Sequence, residues 1–545
     1  MAASGKSIPN VVAFSFGIFF WIVSSSAEKA PYTSFAKNAT SAPPVSYYDY
    51  IIIGGGTAGC PLAATLSASA DVLLLERGGL PYDNPNVVHA TGFFNSLRDT
   101  SPASAAQLFV STDGVFNHRA RVLGGGSSIN AGFYTRASRA YVGRAGWEPG
   151  LVEASYEWVE RKVAFRPRLR TWQAAVREGL LHAGVLPDNG FTLEHLPGTK
   201  TGATIFDDDG IRHTAADLLE FANPRNITVF LHATVQQILF TTAGNKSKAY
   251  GAMFKDSNGN KHMAYLKNGT KNEIILSAGA LGSPQLLMLS GIGPGPKLRA
   301  RRIEVVLDQP MVGQGMSDNP MNVIFIPSRI SIEPSLVQVV GITPFDFYIE
   351  AANGQFDPFS PLSSPANQTQ SSGQEHAPVV GKVAGPFSVG YMELQSRDPN
   401  DNPSVTFNYF NDSRDLVKCV KGMEILKRVV ESPAISRFRY PNSTVQSLLN
   451  YTLSIPNNLR TRHNSSVYNM EQYCKDTVMT IWHYHGGCQV DRVVDRDYRV
   501  LGVDALRVVD GSTFYYSPGT NPQATLMMLG RYMGKKILTE RDTAT

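Results

Sequence analysis

The chain has 545 residues and a mass of 59.3 kDa, which exceeds the roughly 250–300 residues at which one hydrophobic core stops growing. Hydrophobic residues make up 43% and charged residues 17% of the sequence, a balance that excludes an intrinsically disordered protein. The formal net charge is +5 and no run of lysine and arginine is long enough to form a basic patch, which excludes a nucleic-acid-binding protein. We therefore expect a globular enzyme with two domains.

The N-terminus has the pattern of a secretory signal peptide. Lys6 supplies a positive charge, residues 11–23 form an uninterrupted apolar run, and Ser25 and Ala27 occupy the small-residue positions of a cleavage site. The apolar run is shorter than the about 20 residues that a membrane anchor needs. We predict a signal peptide over residues 1–27 and no stable membrane span, with an uncleaved anchor as the alternative. A linker rich in Ser, Thr and Pro is predicted over residues 28–46.

Potential glycosylation sites agree with export. An N-x-S/T sequon marks an acceptor for N-glycosylation in a secreted protein, and chance supplies some of them. The sequons begin at Asn38, Asn226, Asn245, Asn268, Asn367, Asn411, Asn442, Asn450 and Asn464. We predict a secreted, N-glycosylated protein of the extracellular space, such as the cell wall or apoplast.

The chain has four cysteines and none of them has the spacing of a metal site. Cys60 and Cys488 follow glycines and are expected to be packed. Cys419 and Cys474 lie in more polar surroundings and are the candidate disulfide. The sequence leaves this pairing open.

The segment after the linker has a dinucleotide-binding pattern. Residues 50–53 and 72–75 are buried β-runs, separated by a short helix of small residues. Gly54, Gly56 and Gly59 stand between the first run and the helix. The first glycine permits the turn, the second lets the backbone approach a pyrophosphate, and the third lets helix and strand pack closely. The pyrophosphate would lie on the N-terminus of the helix, which favours an anion.

Glu76 ends the second β-run and lies 22 residues after Gly54, where the motif places the acceptor for a ribose hydroxyl. An acidic residue here favours an adenosine with a free 2′-hydroxyl, as in FAD or NAD. The alternative is a glycine turn followed by an incidental glutamate.

Later motifs decide between these two cofactors. They are RARVLGGGSSINAG at 119–132, GALGSPQLLMLSGIG at 279–293, WHYHGGC at 482–488, RVVDGS at 507–512 and TNPQAT at 520–525. Together with the N-terminal glycines, these motifs resemble the glucose–methanol–choline (GMC) flavoprotein family over about residues 47–540. The resemblance implies FAD as the cofactor.

The family resemblance also implies the architecture. We expect an α/β, Rossmann-like FAD-binding domain of the GMC type, interleaved with an α+β substrate domain that contains an antiparallel sheet. The FAD-binding domain would comprise residues 47–135, 196–315 and 478–545. The substrate-binding domain would comprise residues 136–195 and 316–477. Residues 229–231, 237–240 and 273–276 are predicted strands, and residues 354–376 are a predicted mobile loop.

By resemblance, Thr57 and Ala58 would meet the pyrophosphate, Glu76 and Arg77 the adenosine, and Val235 the adenine through its main chain. Val122, Gly126 and the run from Asn130 to Phe133 would lie along the flavin. Asp510 and Gly511 would hold the ribityl chain and pyrophosphate, although Asp-Gly is also an ordinary turn. The predicted FAD-binding residues are Gly54, Gly56, Thr57, Ala58, Gly59, Glu76, Arg77, Val122, Gly126, Asn130, Ala131, Gly132, Phe133, Val235, Trp482, Asp510, Gly511, Pro522 and Gln523.

Alcohol oxidation by a flavin requires removal of the hydroxyl proton as hydride leaves carbon, a task suited to histidine. His483 aligns with the active-site histidine of the family, because Gly486 and Cys488 follow at the family's offsets. His485 is the competing candidate, and on a strand the two side chains would point the same way. We predict His483 as the base and a structural role for His485. A His-x-His metal pair is the third alternative, with no carboxylate nearby to complete it, and no metal is predicted.

Asn521 falls at the family's second polar position. By resemblance, glucose-oxidase-like and lyase members have histidine here, whereas choline- and cholesterol-oxidising members have asparagine. An amide can hydrogen-bond the substrate oxygen but cannot take a proton at pH 7. The alternative is helix capping, with Asn521 at the N-cap and Pro522 at the first helical position.

Three functions follow from these residues. The first is an FAD-dependent alcohol oxidoreductase acting on CH–OH groups, for which the resemblance implies long-chain ω-hydroxy fatty acids as substrates and oxygen or another electron acceptor. The second is a hydroxynitrile (mandelonitrile) lyase with non-redox FAD. The third is a catalytically weak wall or cuticle protein. A monomer with a small-molecule alcohol substrate and no nucleic-acid partner is expected.

Overall fold

The computed structural model describes Met1 and residues 31–243, 246–353 and 376–543. The predicted signal peptide from residue 2 onward lies outside the described residues. So does the predicted loop at 354–376, apart from its last residue, and so do the sequons at Asn245 and Asn367.

A six-stranded sheet forms the centre of the fold, and all its neighbouring strands are parallel. Its inner strands are continuous apolar runs such as YIII and VLLL and are buried on both faces, as parallel sheets require. In spatial order the strands are Ala36–Asn38, Ile227–Leu231, Val72–Leu75, Tyr50–Ile53, Glu273–Leu276 and Leu506–Val508. The predicted strands at 50–53, 72–75 and 273–276 have these bounds.

The first helix after the glycine turn packs against the C-terminal helix. They span Gly59–Leu66 and Gln523–Asp542. A side chain at Gly530 would place its Cβ 2.2 Å from the carbonyl oxygen of Ala58, so the two helices approach too closely for any residue but glycine. This contact brings the N-termini of both helices toward the carboxyl edge of the sheet.

A seven-stranded sheet faces that edge from the other half of the molecule. Its strands, in spatial order, are Met479–Thr480, Pro320–Pro327, His376–Val383, Phe347–Ala351, Val339–Ile342, Gly198–Thr201 and Asp188–Phe191. The pairs are antiparallel except at the Asp188–Phe191 edge. The helix Ser413–Glu431 covers the outer face, and Gly422 lies directly on the ring of Phe347. A parallel α/β sheet combined with an antiparallel sheet confirms the predicted fold class, while the exact domain boundaries stay a prediction.

The other strands of the described residues form smaller sheets. One consists of Thr234–Ala243, Lys246–Lys255, Lys261–Leu266, Val45–Tyr48 and Val503–Asp504. Another consists of Gln314–Met316, Gly390–Glu393 and Ser404–Thr406. The two-stranded sheets are Ala106–Val110 with Phe116–Ala120, Phe133–Tyr134 with Ala203–Thr204, and Ile292–Gly293 with Leu307–Asp308.

The remaining α-helices are mostly short and surround the two large sheets. They span Pro85–Val88, Phe93–Arg98, Arg139–Ala145, Pro149–Val163, Thr171–His182, Gly279–Leu289, Gly295–Ala300, Pro433–Ser436, Val445–Ser454 and Met470–Asp476. Among the residues that the structure describes, no helix has both the length and the apolar character needed to cross a membrane.

The predicted linker at 28–46 is corrected where the structure describes it. Residues 36–38 add an edge strand to the parallel sheet, with Ala36 opposite Val229, and residues 45–48 pair with Lys261–Leu266. Backbone pairing and the buried ring of Tyr32 fix this stretch to the fold. Composition alone concealed the pairing, because Ser, Thr and Pro are also tolerated in short edge strands.

Cys419 and Cys474 form a disulfide, which confirms the predicted pair. The reason given for the pairing was wrong, since both residues are fully buried. Cys419 belongs to the amphipathic helix Ser413–Glu431 and faces the core, whereas its polar sequence neighbours face solvent. Cys60 and Cys488 are buried free thiols, as expected.

The disulfide closes a loop with a sequence separation of 55 residues. Chain-entropy arguments give such a cross-link about 4 kcal/mol of stabilisation through the unfolded state. We therefore expect the double variant Cys419→Ala/Cys474→Ala to lose free energy of unfolding of that order in denaturant titrations. Dithiothreitol should lower the melting temperature of the wild type and leave that of the variant unchanged. An equal response of both proteins would contradict the prediction.

Candidate active site

A deep cleft lies where the carboxyl edge of the parallel sheet faces the seven-stranded sheet. It extends from the glycine turn at Gly54 to His483 and Asn521. Every residue of the predicted FAD-binding set except Gly59 lines this cleft, and so do His483 and Asn521. The folded chain thus brings together residues that are more than 400 positions apart in the sequence, such as Gly54 and Asn521.

The glycine turn forms one end of the cleft. Gly54 has φ +105°, a conformation that favours glycine, and a Cβ there would lie 2.4 Å from the carbonyl oxygen of Ser277. A Cβ at Gly59 would lie 2.0 Å from the Gly54 oxygen, so this glycine allows close helix–strand packing without lining the cleft. Thr57 and Ala58 line the cleft at the start of the helix Gly59–Leu66. This is the geometry of an anion site at a helix N-terminus.

Glu76 is 6% exposed at the end of its strand. Its Oε2 accepts a hydrogen bond from the Gly55 N–H at 3.0 Å, and its Oε1 accepts one from the Gly78 N–H at 2.7 Å. Burial raises the pKa of this carboxyl, while the two backbone donors and the neighbouring Arg77 oppose that rise. A carboxylate oxygen has a second lone pair, so each oxygen keeps acceptor capacity toward the cleft.

Two buried guanidinium groups test whether the cleft suits an anionic dinucleotide. Arg77 and Arg119 both line it, and each has a buried Nη1 with no hydrogen-bond partner among the described residues. Trp482 also lines the cleft, and its indole Nε1 is buried with no hydrogen-bond partner among the described residues. Buried donors are normally satisfied, and buried charges are normally paired. Orphaned cationic donors along a large cleft therefore fit the phosphates and polar ring edges of FAD.

The segment 122–133 forms the long wall of the cleft. Asn130 Nδ2 donates to Gln523 Oε1 at 2.8 Å, and Gln523 Nε2 donates to the Phe133 carbonyl at 2.6 Å. The side chain of Arg212 holds the same segment from behind, with bonds to the carbonyls of Ser127 and Asn130. The wall and the N-terminus of the C-terminal helix are therefore fixed to each other.

The Asp510 carboxylate accepts hydrogen bonds from three groups of the protein. Its Oδ2 accepts from the Gly279 N–H at 2.9 Å and from the Ser283 hydroxyl, and its Oδ1 accepts from the Ser512 N–H at 2.8 Å. Burial raises the pKa of the carboxyl and these donors oppose the rise. Asp510 and Gly511 line the cleft, so this residue joins the end of the parallel sheet to the N-terminus of the helix Gly279–Leu289.

His483 is 8% exposed and lines the cleft. Its backbone N–H donates to the buried carboxylate of Asp318 at 3.0 Å, and its Nδ1 lies 3.3 Å from Asn319 Nδ2. Asn319 Oδ1 accepts from the Gly385 N–H, so the amide nitrogen is the atom turned to the imidazole. Burial first, and then the charge of Lys382, lowers the pKa of His483 well below its usual range. The ring is neutral, and Nε2 is left for the cleft.

The segment that carries His483 and His485 is not a regular strand. Trp482 has φ +58°, an uncommon conformation for a non-glycine residue, and the segment bends at this point. His485 forms an isolated bridge with Ser317 and its Nδ1 donates to the His483 carbonyl at 2.9 Å. His483 lines the cleft and His485 does not.

The alternative for Asn521, a helix cap, is not what the structure shows. The helix begins at Gln523, and Pro522 occupies the N-cap without a side-chain cap bond. Hydrogen bonding places the Asn521 amide nitrogen 2.9 Å from Glu350 Oε1 and 2.9 Å from Thr520 Oγ1. The side chain is thus committed to the seven-stranded sheet rather than to the helix.

Sequence reasoning missed several residues of the site: Arg119, Asp318, Asn319, Glu350 and Lys382. Arg119 begins a glycine-rich motif, and this position could have identified it. The other four carry no local signal, since Glu350 and Lys382 lie within apolar strands and Asp318 and Asn319 lie just before one.

The comparisons with known proteins agree with this geometry. Models of the family described as GMC oxidoreductase match residues 48–321 and 386–530, so the chain belongs to the GMC oxidoreductase family. This family consists of FAD-dependent oxidoreductases and related lyases, and FAD is the cofactor of this chain. The structure of formate oxidase from Aspergillus oryzae superimposes with a TM-score of 0.75 at 20% identity, covering 92% of this chain and 100% of that chain, which shows the shared fold.

Particular relatives are plant proteins. The chain is 51% identical to Protein HOTHEAD of Arabidopsis thaliana, covering 91% of this chain and 89% of that protein. It is 42% identical to (R)-mandelonitrile lyase 3 of Prunus serotina, covering 96% and 91%. It is 40% identical to Sinalpyl alcohol oxidase Nec3 of Nesocodon mauritianus, covering 99% and 98%.

Asp318 provides a pH-dependent test of the site. Burial raises its folded-state pKa to about 6, above the value of about 3.9 for an unperturbed aspartate. Between these values the folded protein retains a proton that the unfolded chain releases, so this carboxyl's contribution to the free energy of unfolding falls as pH rises from 4 to 6.

We therefore expect the stability difference between wild type and Asp318→Asn to fall by up to about 3 kcal/mol across that range. The measurement is urea unfolding of both proteins at pH 4, 5, 6 and 7. A difference that is constant over this range would mean that Asp318 does not titrate there.

Proposed function

We propose that this chain is a secreted FAD-dependent oxidoreductase that oxidises the CH–OH group of an alcohol. The proposal rests chiefly on His483, a neutral imidazole whose Nε2 is left for the same cleft that the flavin-binding segments line. A relative named as an alcohol oxidase supports an alcohol as the substrate class.

His483 is proposed to handle the hydroxyl proton. Bound FAD supplies the hydride acceptor. The lowered pKa of His483 keeps the imidazole unprotonated beforehand, so that it can accept the hydroxyl proton. Asp318 fixes the backbone of His483, so the imidazole is oriented before the substrate arrives.

The cleft has apolar walls that suit a substrate with an apolar body. Phe133, Val337 and Leu286 line the cleft, which supports the long-chain ω-hydroxy fatty acids suggested by the family resemblance. Oxygen or another small-molecule acceptor is proposed to reoxidise the flavin.

Export and glycosylation are also part of the proposal. The disulfide Cys419–Cys474 supports folding in an oxidising compartment. Asn38, Asn268 and Asn411 are exposed and accessible to a glycan, whereas Asn226 donates its amide to the Ser67 carbonyl. We also propose that the protein is a monomer.

A hydroxynitrile lyase is the second candidate, because (R)-mandelonitrile lyases are among the relatives. In that case His483 would move a proton while the flavin stayed oxidised. The asparagine at position 521 speaks against it, since the family resemblance gives lyase members a histidine there.

The two histidines provide the test of the proposed chemistry. His483→Ala should slow anaerobic flavin reduction by a primary alcohol by roughly 10²–10⁴-fold, because the proton acceptor is lost. His485→Ala is the matched control, an imidazole two residues away that does not line the cleft, and should reduce stability or FAD content before it affects the chemical step.

The rates are measured by stopped-flow absorbance with FAD content determined for each variant. If His485→Ala abolished reduction with FAD bound while His483→Ala were nearly normal, the assignment of the base would be reversed.

A further inference from the structure

A buried guanidinium group lies behind the long wall of the cleft. Arg212 is 1% exposed and does not line the cleft itself. Its Nε donates to the Val87 carbonyl at 2.8 Å, and its Nη1 donates to the carbonyls of Ser127 and Asn130 at 3.1 and 2.7 Å. Each of these acceptors is a neutral backbone oxygen. Arg212 therefore joins the wall to the segment around Val87 without using a carboxylate.

Arg212 has no counter-charge in the part of the chain that the structure describes. Its Nη2 has no hydrogen-bond partner there, and its Cζ lies 4.5 Å from the centre of the Phe206 ring. Burial lowers the pKa of the guanidinium to about 9, with no carboxylate to oppose the effect, so the group is still charged at neutral pH. Buried charges are normally paired. Arg507, which is 2% exposed, follows this rule and forms ion pairs with Glu273 and Glu540, both at 2.6 Å.

Asn130 separates Arg212 from the cleft. Asn130 lines the cleft, and its Oδ1 accepts hydrogen bonds from the Gly132 N–H at 2.9 Å and from Arg212 Nη1 at 3.2 Å. Both partners can only donate, so the amide oxygen faces Arg212 and the amide nitrogen faces Gln523 Oε1. The guanidinium thus contacts a residue that forms the surface of the cleft. A buried charge at this position is only weakly screened toward the cleft.

Hydride transfer would place a negative charge on the other side of this wall. The family resemblance predicts that the segment 122–133 lies along the flavin. When an alcohol is oxidised to a carbonyl, its carbon gives a hydride, which is two electrons and a proton, to bound FAD, and its hydroxyl proton goes to His483. The flavin thereby gains one negative charge. A fixed cation behind the wall stabilises this charged form more than the oxidised form.

We propose that Arg212 is a positioning residue that fixes the wall and also provides the counter-charge for the reduced, anionic flavin, which raises the reduction potential of the bound cofactor. The inference rests on the proposed function, since a stabilised reduced flavin serves a redox reaction. The hydrogen bonds of Arg212 end on neutral oxygens, so they hold the wall in place and leave the positive charge uncompensated.

The reduction potential tests the charge separately from the hydrogen bonds. Holoproteins of wild type, Arg212→Met and Arg212→Lys are equilibrated anaerobically at pH 6 with a redox dye and an enzymatic reductant, without an alcohol. At a fixed potential we expect the ratio of reduced to oxidised flavin to fall roughly tenfold in Arg212→Met, which is a potential about 30 mV lower for a two-electron couple. Arg212→Lys keeps the charge and loses the planar fork that reaches the carbonyls. Its ratio should stay within about threefold of wild type while its melting temperature falls.

The matched control is Arg462→Met. The Arg462 guanidinium also donates to backbone carbonyls, those of Ile455, Arg460 and Asp476, and its Nε has no partner among the described residues. Neither Arg462 nor any of these three residues lines the cleft. The control should therefore lower the melting temperature and leave the ratio of reduced to oxidised flavin unchanged.

An unchanged ratio in Arg212→Met would overturn the proposal, and so would an equal fall in Arg212→Met and Arg212→Lys. If Arg212→Met did not retain FAD, the wild type would decide, by ¹⁵N NMR of reduced holoprotein that contains labelled FAD. An N1 without a proton, at a pH at which free reduced flavin carries one, supports the counter-charge, and a protonated N1 overturns it. Failure of the proposed function is a separate result, because the potentials would be as expected while no primary alcohol reduced the flavin.

Discussion

The buried carboxylate of Asp318 is the interaction on which the arrangement of the site depends. It accepts hydrogen bonds from the hydroxyl groups of Thr480 and Tyr409 and from the backbone N–H of His483. Tyr409 comes from a distant segment, whereas Thr480 and His483 lie on either side of the bend at Trp482, so one residue joins the edge of the seven-stranded sheet to the bend that carries the imidazole. The left-handed conformation of Trp482 is retained because Asp318 holds Thr480 before it and His483 directly after it, and the Trp482 N–H donates to the Thr480 hydroxyl. An isolated buried carboxylate would be unfavourable, and here the three hydrogen bonds that Asp318 accepts offset the cost of its burial.

On the side of the cleft that would hold the cofactor, two buried side chains have donors without hydrogen-bond partners. Arg77 and Arg119 are buried cations with unpartnered donors, whereas the carboxylates of Glu76 and Asp510 are satisfied by backbone N–H groups. The unpartnered donors of these two arginines therefore require negative charge and hydrogen-bond acceptors on this side of the cleft. FAD supplies both, and a ligand that binds the folded state alone also stabilises it. Cofactor binding and folding stability are coupled in this protein through the same buried groups.

Much of the fold could be predicted from local sequence. The runs YIII and VLLL are long enough in apolar residues to identify the strands at 50–53 and 72–75, and the glycines between strand and helix identify a nucleotide site without any knowledge of the rest. The polar side of the active site could not be predicted in this way. Glu350 and Lys382 are 32 residues apart and meet through strand register, which no local pattern records. Helix capping stayed open as the alternative for Asn521 because the sequence does not show the carboxylate next to its amide. The sequence could not show how His485 lies relative to His483, because a left-handed tryptophan cannot be recognised from sequence.

The central claim is that His483 and the bound flavin carry out a redox reaction on a hydroxyl substrate, and one measurement tests it most directly. Holoenzyme is mixed without oxygen, in separate samples, with a primary alcohol of the ω-hydroxy fatty acid class and with mandelonitrile, while the flavin spectrum and free cyanide are recorded. The account predicts that the alcohol abolishes the absorption band of oxidised flavin and that mandelonitrile releases no cyanide. Release of cyanide with the flavin still oxidised, and no reduction by the alcohol, would contradict it and would assign the site to a lyase.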